Sequence, residues 1–245
     1  MTETEFDHDR FDQAYPPGIE NTWWQVARSR VIARTFANHV PRTANVLEVG
    51  CGTGIVTTHL RGAGWNVSGV EIGSPKHAFL TGGHVRTGTN AVDLPLEERM
   101  KFDALALFDV IEHIADAPAF LRDLFNAFPN ARQLIITVPA RQELWTSFDD
   151  HFGHFRRYDR PMVREHFRQA GLAADHAAYF FHGIYPAIAI NNALRGRKRN
   201  IRFTTPAQGA ATAVNRGLGT LFALESRLLP GAIVGSSIIA VGHRE

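Results

Sequence analysis

Two carboxylates stand where apolar runs give way to turns. Glu48 lies inside VLEVGCGTG (46–54), just ahead of glycines at alternate positions, Gly50, Gly52 and Gly54. Glu71 closes WNVSGVEI (65–72), 21 positions beyond Gly50. A turn almost without side chains lets a ligand come up against the backbone. A dinucleotide site would carry GxGxxG, whose third glycine lets a helix close over a pyrophosphate. Here Ile55 occupies that third place, and Glu48 would put negative charge beside the phosphates. A carboxylate before the turn suits a cationic ligand end, and an acidic residue at the distance of Glu71 suits ribose hydroxyls. A ribose, an α-ammonium group and no phosphate together describe S-adenosylmethionine.

A second group could move protons. Asp109, Glu112 and His113 stand at and just beyond the end of the apolar run Phe102–Val110, and a histidine, with an unperturbed pKa of about 6.5, suits general-base work. Further on, SFDDHFGHFRRYDR (147–160) brings His151, His154, Arg156, Arg157 and Tyr158. The adjacent arginines could clamp a carboxylate or phosphate of a substrate. The plainer reading pairs Arg157 with Asp149 or Asp150 to hold the loop shut. Asp109, Glu112 and His113 with His151 or His154 would also make an oxygen–nitrogen metal site. The absence of a broad basic face outside 195–202 argues against nucleic acid, and we expect no metal.

These residues need a scaffold that brings them to one edge. NVLEV, WNVSGVEI, Phe102–Val110 and QLIITVPA read as strands, the last apolar on both faces as in a covered parallel sheet. Between them GIVTTHLRGAG and APAFLRDLFNAF read as helices, the second capped by Asp116 with Pro118 in its first turn. An earlier helix, capped by Asn21 or Thr22, runs to about His39, and DRPMVREHFRQAG is a later one capped by Asp159. AAYFF and SSIIAVGHR close the pattern as strands. Strand–helix alternation predicts a doubly wound α/β domain, with ligands at the C-terminal ends of the strands. The Gly- and Thr-rich stretch 77–90 has no clear period.

With 245 residues and 44% hydrophobic content the chain can bury a sizeable core, and a net charge of +2 makes no case for nucleic acid. A single cysteine, Cys51, allows no intrachain disulfide and fits a reducing cytoplasm. The acidic, polar N-terminus is unlike a signal peptide, and no apolar run is long enough to span a bilayer.

Taken in order, VLEVGCGTG, VSGVEI, AVDLPL and FDALALFDVIEHIAD resemble the class I S-adenosylmethionine-dependent methyltransferases. The likeness covers about 20–181 and 236–245. It implies a Rossmann-like seven-stranded sheet whose last strand, SSIIAVGHR, is antiparallel, with a helical insertion before that strand. It further implies that Glu48, Gly50, Gly52 and Gly54 hold the methionine end and that Glu71 takes the ribose. Asp93 and Leu94 would take the adenine, with Trp24, Ile72, Phe108 and Asp109 completing the cofactor site. The EH pair at Glu112-His113 resembles the ubiquinone-biosynthesis O-methyltransferases. Trp23-Trp24 with GHFRRY (153–158) resembles bacterial methyltransferases with an early WW pair and a GHxRRY-type segment. The residues so assigned to catalysis are His113, His154, Arg157 and Tyr158. The metal-dependent methyltransferases that modify the terminal ribose of small RNAs share part of this pattern, but carry Glu where Asp109 stands.

The chain therefore divides into an N-terminal arm and lid helix (1–45), a cofactor-binding core (46–181 with 236–245) and a helical cap (182–235). In the cap, apolar residues 179–194 precede Arg195, Arg197, Lys198, Arg199 and Arg202. Apolar followed by basic suits either a pocket lid or a peripheral membrane contact through 182–202. A helix over Gln208–Leu229 carries Val214, Leu218, Leu221, Phe222 and Leu228 on one stripe, with Glu225 among them. Facing inward, that carboxylate would need an arginine, and Arg156 or Arg157 is the expected partner. The function expected is O-methylation of a small or lipid-linked acceptor bearing an acidic group, in the cytoplasm or at a membrane surface. The rival readings are a nicotinamide-dependent oxidoreductase, a metal-assisted ribose methyltransferase and a cofactor-binding membrane adaptor without catalysis.

Overall fold

The computed structural model describes residues 16–75, 83–198 and 209–245. The expected arm therefore lies almost wholly outside the described residues. The strands are β1 (Asn45–Val49), β2 (Asn66–Val70), β3 (Val85–Arg86), β4 (Ala104–Phe108), β5 (Gln133–Pro139), β6 (Leu172–Phe180) and β7 (Ser237–Arg244). They form one sheet in the order β3-β2-β1-β4-β5-β7-β6. Neighbours from β3 through β5 pair in parallel, and β7 runs antiparallel between β5 and β6. The seven strands and the reversed last one match the sequence expectation. Two strands differ in extent: β6 starts at Leu172, directly after Gly171 turns the chain with φ 77°, and β3 lies in the 77–90 stretch that had no period.

The helices are α1 (Trp23–His39), α2 (Ile55–Gly62), α3 (Leu96–Arg99), α4 (Ala117–Ala127), α5 (Ser147–His151), α6 (Arg160–Gln169), α7 (Ile184–Arg195) and α8 (Ala210–Leu228). Side chains satisfy the orphan N–H groups at several starts. Thr22 accepts from Gln25, Asp116 from Ala119 and Asp159 from Met162. Period-two alternation splits β4 between two cores: Leu105 and Leu107 face α4 and α6, while Ala104, Ala106 and Phe108 face α1 and α2. Both faces of the sheet are thus dry, and the loops at its C-terminal edge are left to carry polar work.

Residues 182–235 leave the sheet after β6 and return at β7. Helix α8 packs on α1, closest at Gly219, where an added Cβ would lie 2.7 Å from Val26 Cβ and 2.8 Å from the Trp23 carbonyl oxygen. The Trp23 N–H donates to Asn215 Oδ1 at 3.3 Å, and its indole ring packs against Phe181 and Phe222. This packing corrects two expectations. Glu225 meets neither arginine; its Oε1 accepts from the Gly183 N–H at 2.5 Å, at the start of α7. Of the five-residue stripe, Phe222 packs inward, whereas Val214, Leu218, Leu221 and Leu228 are 63%, 43%, 60% and 71% exposed. The physical reason is Gly219: by admitting the α1 backbone so closely, it makes the small-residue face of α8 the inner one.

Candidate active site

The glycine turn after β1 is left-handed at every glycine, with φ of 72°, 58° and 81° at Gly50, Gly52 and Gly54. A side chain at Gly50 would also come within 2.8 Å of Val110 Cγ2. Glu71 reaches back into this turn. Its Oε2 accepts from the Gly52 N–H at 2.9 Å and its Oε1 from the Gly73 N–H at 2.8 Å. The carboxylate therefore fixes the turn and still has lone pairs for hydroxyl donors. Burial raises its pKa against the pull of those backbone bonds.

Glu48 is 2% exposed and accepts from the Thr57 hydroxyl at 2.5 Å. Burial pushes its pKa up to about 7, with Thr57 and Arg28 pulling the other way. At neutral pH it stands at the edge of ionisation, where a cationic ligand would hold it charged.

Sequence reasoning missed Arg28. It projects from the buried face of α1, and its Nη2 lies 2.6 Å from Asp109 Oδ2. The guanidinium carbon sits 5.0 Å from the Trp24 ring centre and 5.9 Å from that of Phe108. Its Nε is buried without a hydrogen-bond partner. An arginine among Ala27, Val31 and Ile32 on a helix face needs a counter-charge, and that was the available signal. Asp109 meets it from a left-handed backbone, φ 58°, a conformation that aspartate tolerates better than most residues.

The remaining cofactor candidates are spread around this turn. Ile72 is 44% exposed beside Glu71, Asp93 is exposed in the short turn Ala91–Asp93, and the Leu94 side chain is core. Phe108 is also core, packed on Phe36 beneath Arg28.

After β4 the chain enters the second group. Atoms of Glu112, His113 and His154 lie within 4.8 Å of one another, and the two imidazoles meet edge to face at 4.7 Å. Glu112 is 1% exposed, and its Oε2 has no hydrogen-bond partner. Burial, then the charge of Asp109, pushes its pKa well up. Burial, then His154, drives the His113 pKa down to about 4, against hydrogen bonds to the Phe152 and Gly153 backbone.

His154 differs from His113 in having an orienting carboxylate. Its Nδ1 lies 2.9 Å from Oδ1 of Asp149, a fully buried residue. The same oxygen takes the Arg157 Nε–H at 2.7 Å, and Oδ2 takes the Thr146 N–H at 2.8 Å. Burial works to raise the Asp149 pKa, but His154, Arg157 and Thr146 outweigh it and hold the carboxyl below its usual range. With Nδ1 donating to Asp149, the assigned tautomer leaves His154 Nε2 as an acceptor.

The arginine pair is engaged with the protein itself. Arg157 is bound to Asp149 and to the Ala140 carbonyl, which is the plainer of the two readings. Arg156 is held by the Ala115 carbonyl, and no carboxylate pairs with it among the described residues. Tyr158 is fully buried and donates its hydroxyl to the Ile111 carbonyl at 3.2 Å. His151 stays outside the cluster that His154 joins.

A methyltransferase-domain family matches residues 23–177. A ubiquinone biosynthesis O-methyltransferase of Methylobacterium nodulans is 26% identical over 141 residues, taking in 46% of this chain and 57% of that protein. A probable S-adenosylmethionine-dependent methyltransferase of Mycolicibacterium smegmatis is 25% identical over 174 residues, 68% of this chain and 66% of that one. The chain thus spans somewhat over half the length of these relatives. Among solved structures, the putative methyltransferase in complex with the Haloferax volcanii Trm112 activator superposes with a TM-score of 0.57 at 19% identity, covering 96% of both chains. A Burkholderia thailandensis 1,6-didemethyltoxoflavin-N1-methyltransferase gives 0.52 at 17%, over 91% of this chain and 80% of the other. These two likenesses concern the fold. The family match covers more than half of the chain, from α1 into β6, and the chain belongs to the methyltransferase-domain family.

Proposed function

We propose that the protein methylates an oxygen of a small or lipid-linked acceptor bearing an acidic group, with S-adenosylmethionine as donor. The observation that carries this reading is the Asp149–His154 pair, set against Glu112 and His113 in the loop that follows β4. The donor supplies a methyl group on a sulfonium, reactive enough that the protein need only position it and handle the acceptor proton. Arg28, with an unpaired Nε, suits the donor's carboxylate, and Glu48 its ammonium group. Glu71 suits the ribose, and exposed Ile72 offers the adenine an apolar face. The left-handed glycines keep side chains out of this cradle.

On the acceptor side, His154 Nε2 takes the hydroxyl proton while Asp149 fixes the ring and stabilises the imidazolium. His113 is neutral at physiological pH, and its hydrogen bonds to the 152–153 backbone make it a positioning residue. Arg156 is the cation left for the acceptor's acidic group. A lipid-linked acceptor would bring the protein to a membrane surface. No described helix is long and apolar enough to cross one.

Calorimetry with S-adenosylmethionine and with NAD tests the class: NAD binding without S-adenosylmethionine binding would sink it. In a methylation assay, His154→Ala should lower kcat by about 10²-fold or more and leave cofactor affinity unchanged. A small effect would mean an acceptor already ionised, such as a carboxylate. A second reading rests on the Glu112–His113–His154 cluster, whose oxygen and nitrogen donors suit a divalent ion. Activity lost to a chelator and restored by one metal would favour it.

A further inference from the structure

We propose that the outward faces of α7 and α8 form a docking surface for a membrane carrying anionic lipid. Nine of the fourteen large apolar side chains exposed among the described residues lie between Ile190 and Ile233. On α8 they follow helical spacing: Val214, Leu218, Leu221 and Leu228 share one stripe, with Leu224 at its border. The flanking face, with Asn215, Gly219 and Phe222, is already used against α1 and Phe181. The helix therefore packs through Asn215, Gly219 and Phe222 and leaves its leucines in solvent.

On α7, Ile190 is 59% and Leu194 79% exposed, one turn apart. Glu225, flanked on α8 by Leu221 and Leu228, holds the Gly183 N–H, so the start of α7 is tied to α8 beside that stripe. Directly after Leu194 come Arg195, Arg197 and Lys198, all exposed.

Charge decides the occupant. Residues 182–235 hold seven Lys or Arg and one Glu, while the rest of the chain holds nineteen against twenty-three Asp or Glu. A segment this basic in an otherwise acidic chain would repel its own copy across a two-fold axis. An anionic bilayer surface attracts both parts, with the leucines entering the acyl boundary and the basic cluster at the headgroups. The helices would lie in the plane of the membrane, since none is fit to cross it.

The test is flotation of the full chain with phosphatidylcholine vesicles, with and without phosphatidylglycerol. Binding should require the anionic lipid and weaken with salt. Arg195→Ala, Arg197→Ala and Lys198→Ala together should weaken it by roughly 100-fold. Leu221→Ser with Leu228→Ser should reduce it by about 10-fold or more while the melting temperature holds. A chain that ignores anionic vesicles overturns the proposal without any variant. So does vesicle binding that the leucine changes leave intact, or a stable dimer that they dissociate. Calorimetry with S-adenosylmethionine, run without vesicles, reports separately on the methyl-transfer reading.

Discussion

The loops at the C-terminal edge of the sheet and the 182–235 segment handle polarity in opposite ways. At the edge, charged groups go inside: Glu48, Glu71, Glu112 and Asp149 are each under 10% exposed. In the insertion, leucines go outside. Burying a carboxylate is costly unless it is bonded or has work to do, and exposing a leucine stripe gives up the burial that normally stabilises a helix. Each region departs from the rule of an apolar inside and a polar outside, and each departure marks a surface built to meet something else. On the readings proposed above, the edge meets a small polar ligand and the insertion an apolar boundary.

The comparison can be broken at its strongest point first. Asp149 serves His154, Arg157 and Thr146 at once, so Asp149→Ala leaves the part-buried Arg157 guanidinium without its counter-charge. We expect a loss of about 3–5 kcal/mol in chemical denaturation. A loss under about 1 kcal/mol would mean that the edge does not depend on its buried charge.

Glu48 sharpens the contrast through pH. Its pKa is raised from 4.5 to about 7 by burial, so the folded state binds a proton more tightly than the unfolded one. Its contribution is fully present below the unfolded pKa and is lost as pH rises through about 7. In cofactor-free protein we expect this group to remove roughly 3 kcal/mol as pH rises from 4.5 to about 7, and Glu48→Gln to flatten the profile. The smallest effect belongs to the insertion. Leu221→Ser should change folding stability by less than about 0.5 kcal/mol, because its side chain is 60% exposed. A cost of about 2 kcal/mol or more would show that the leucine stripe is a core and not a surface.

The same contrast explains what could be read from the sequence. The β1 turn was legible because its requirements are local: left-handed backbone calls for glycine, and the end of a strand fixes where Glu48 and Glu71 point. Helix starts at Thr22, Asp116 and Asp159 were legible for the same reason. The Arg28–Asp109 pair was not, since it joins a helix to a strand end far along the chain. Nor could spacing choose between Asp149 and Asp150. Asp149 takes the buried place, while Asp150 accepts from the Trp145 indole at 2.9 Å. The α8 stripe was found and its direction misjudged. Amphipathicity states that two faces differ, and only Gly219, read as a contact, states which face is inside.

The packing of α8 on α1 also bears on the order in which the molecule can be made. The Trp23 N–H meets Asn215 across 192 positions of sequence, and Gly219 closes on Val26 only slightly farther along the chain. A ribosome delivers α1 long before α8, with the whole of the sheet's first six strands between them. The helix carrying Trp24 and Arg28 must therefore wait, with one flank uncovered, until the chain as far as α8 has been made. Contacts of such long range make the docking of α8 a late event in folding. Until it occurs, Trp23 and Val26 are surfaces on which a chaperone can act.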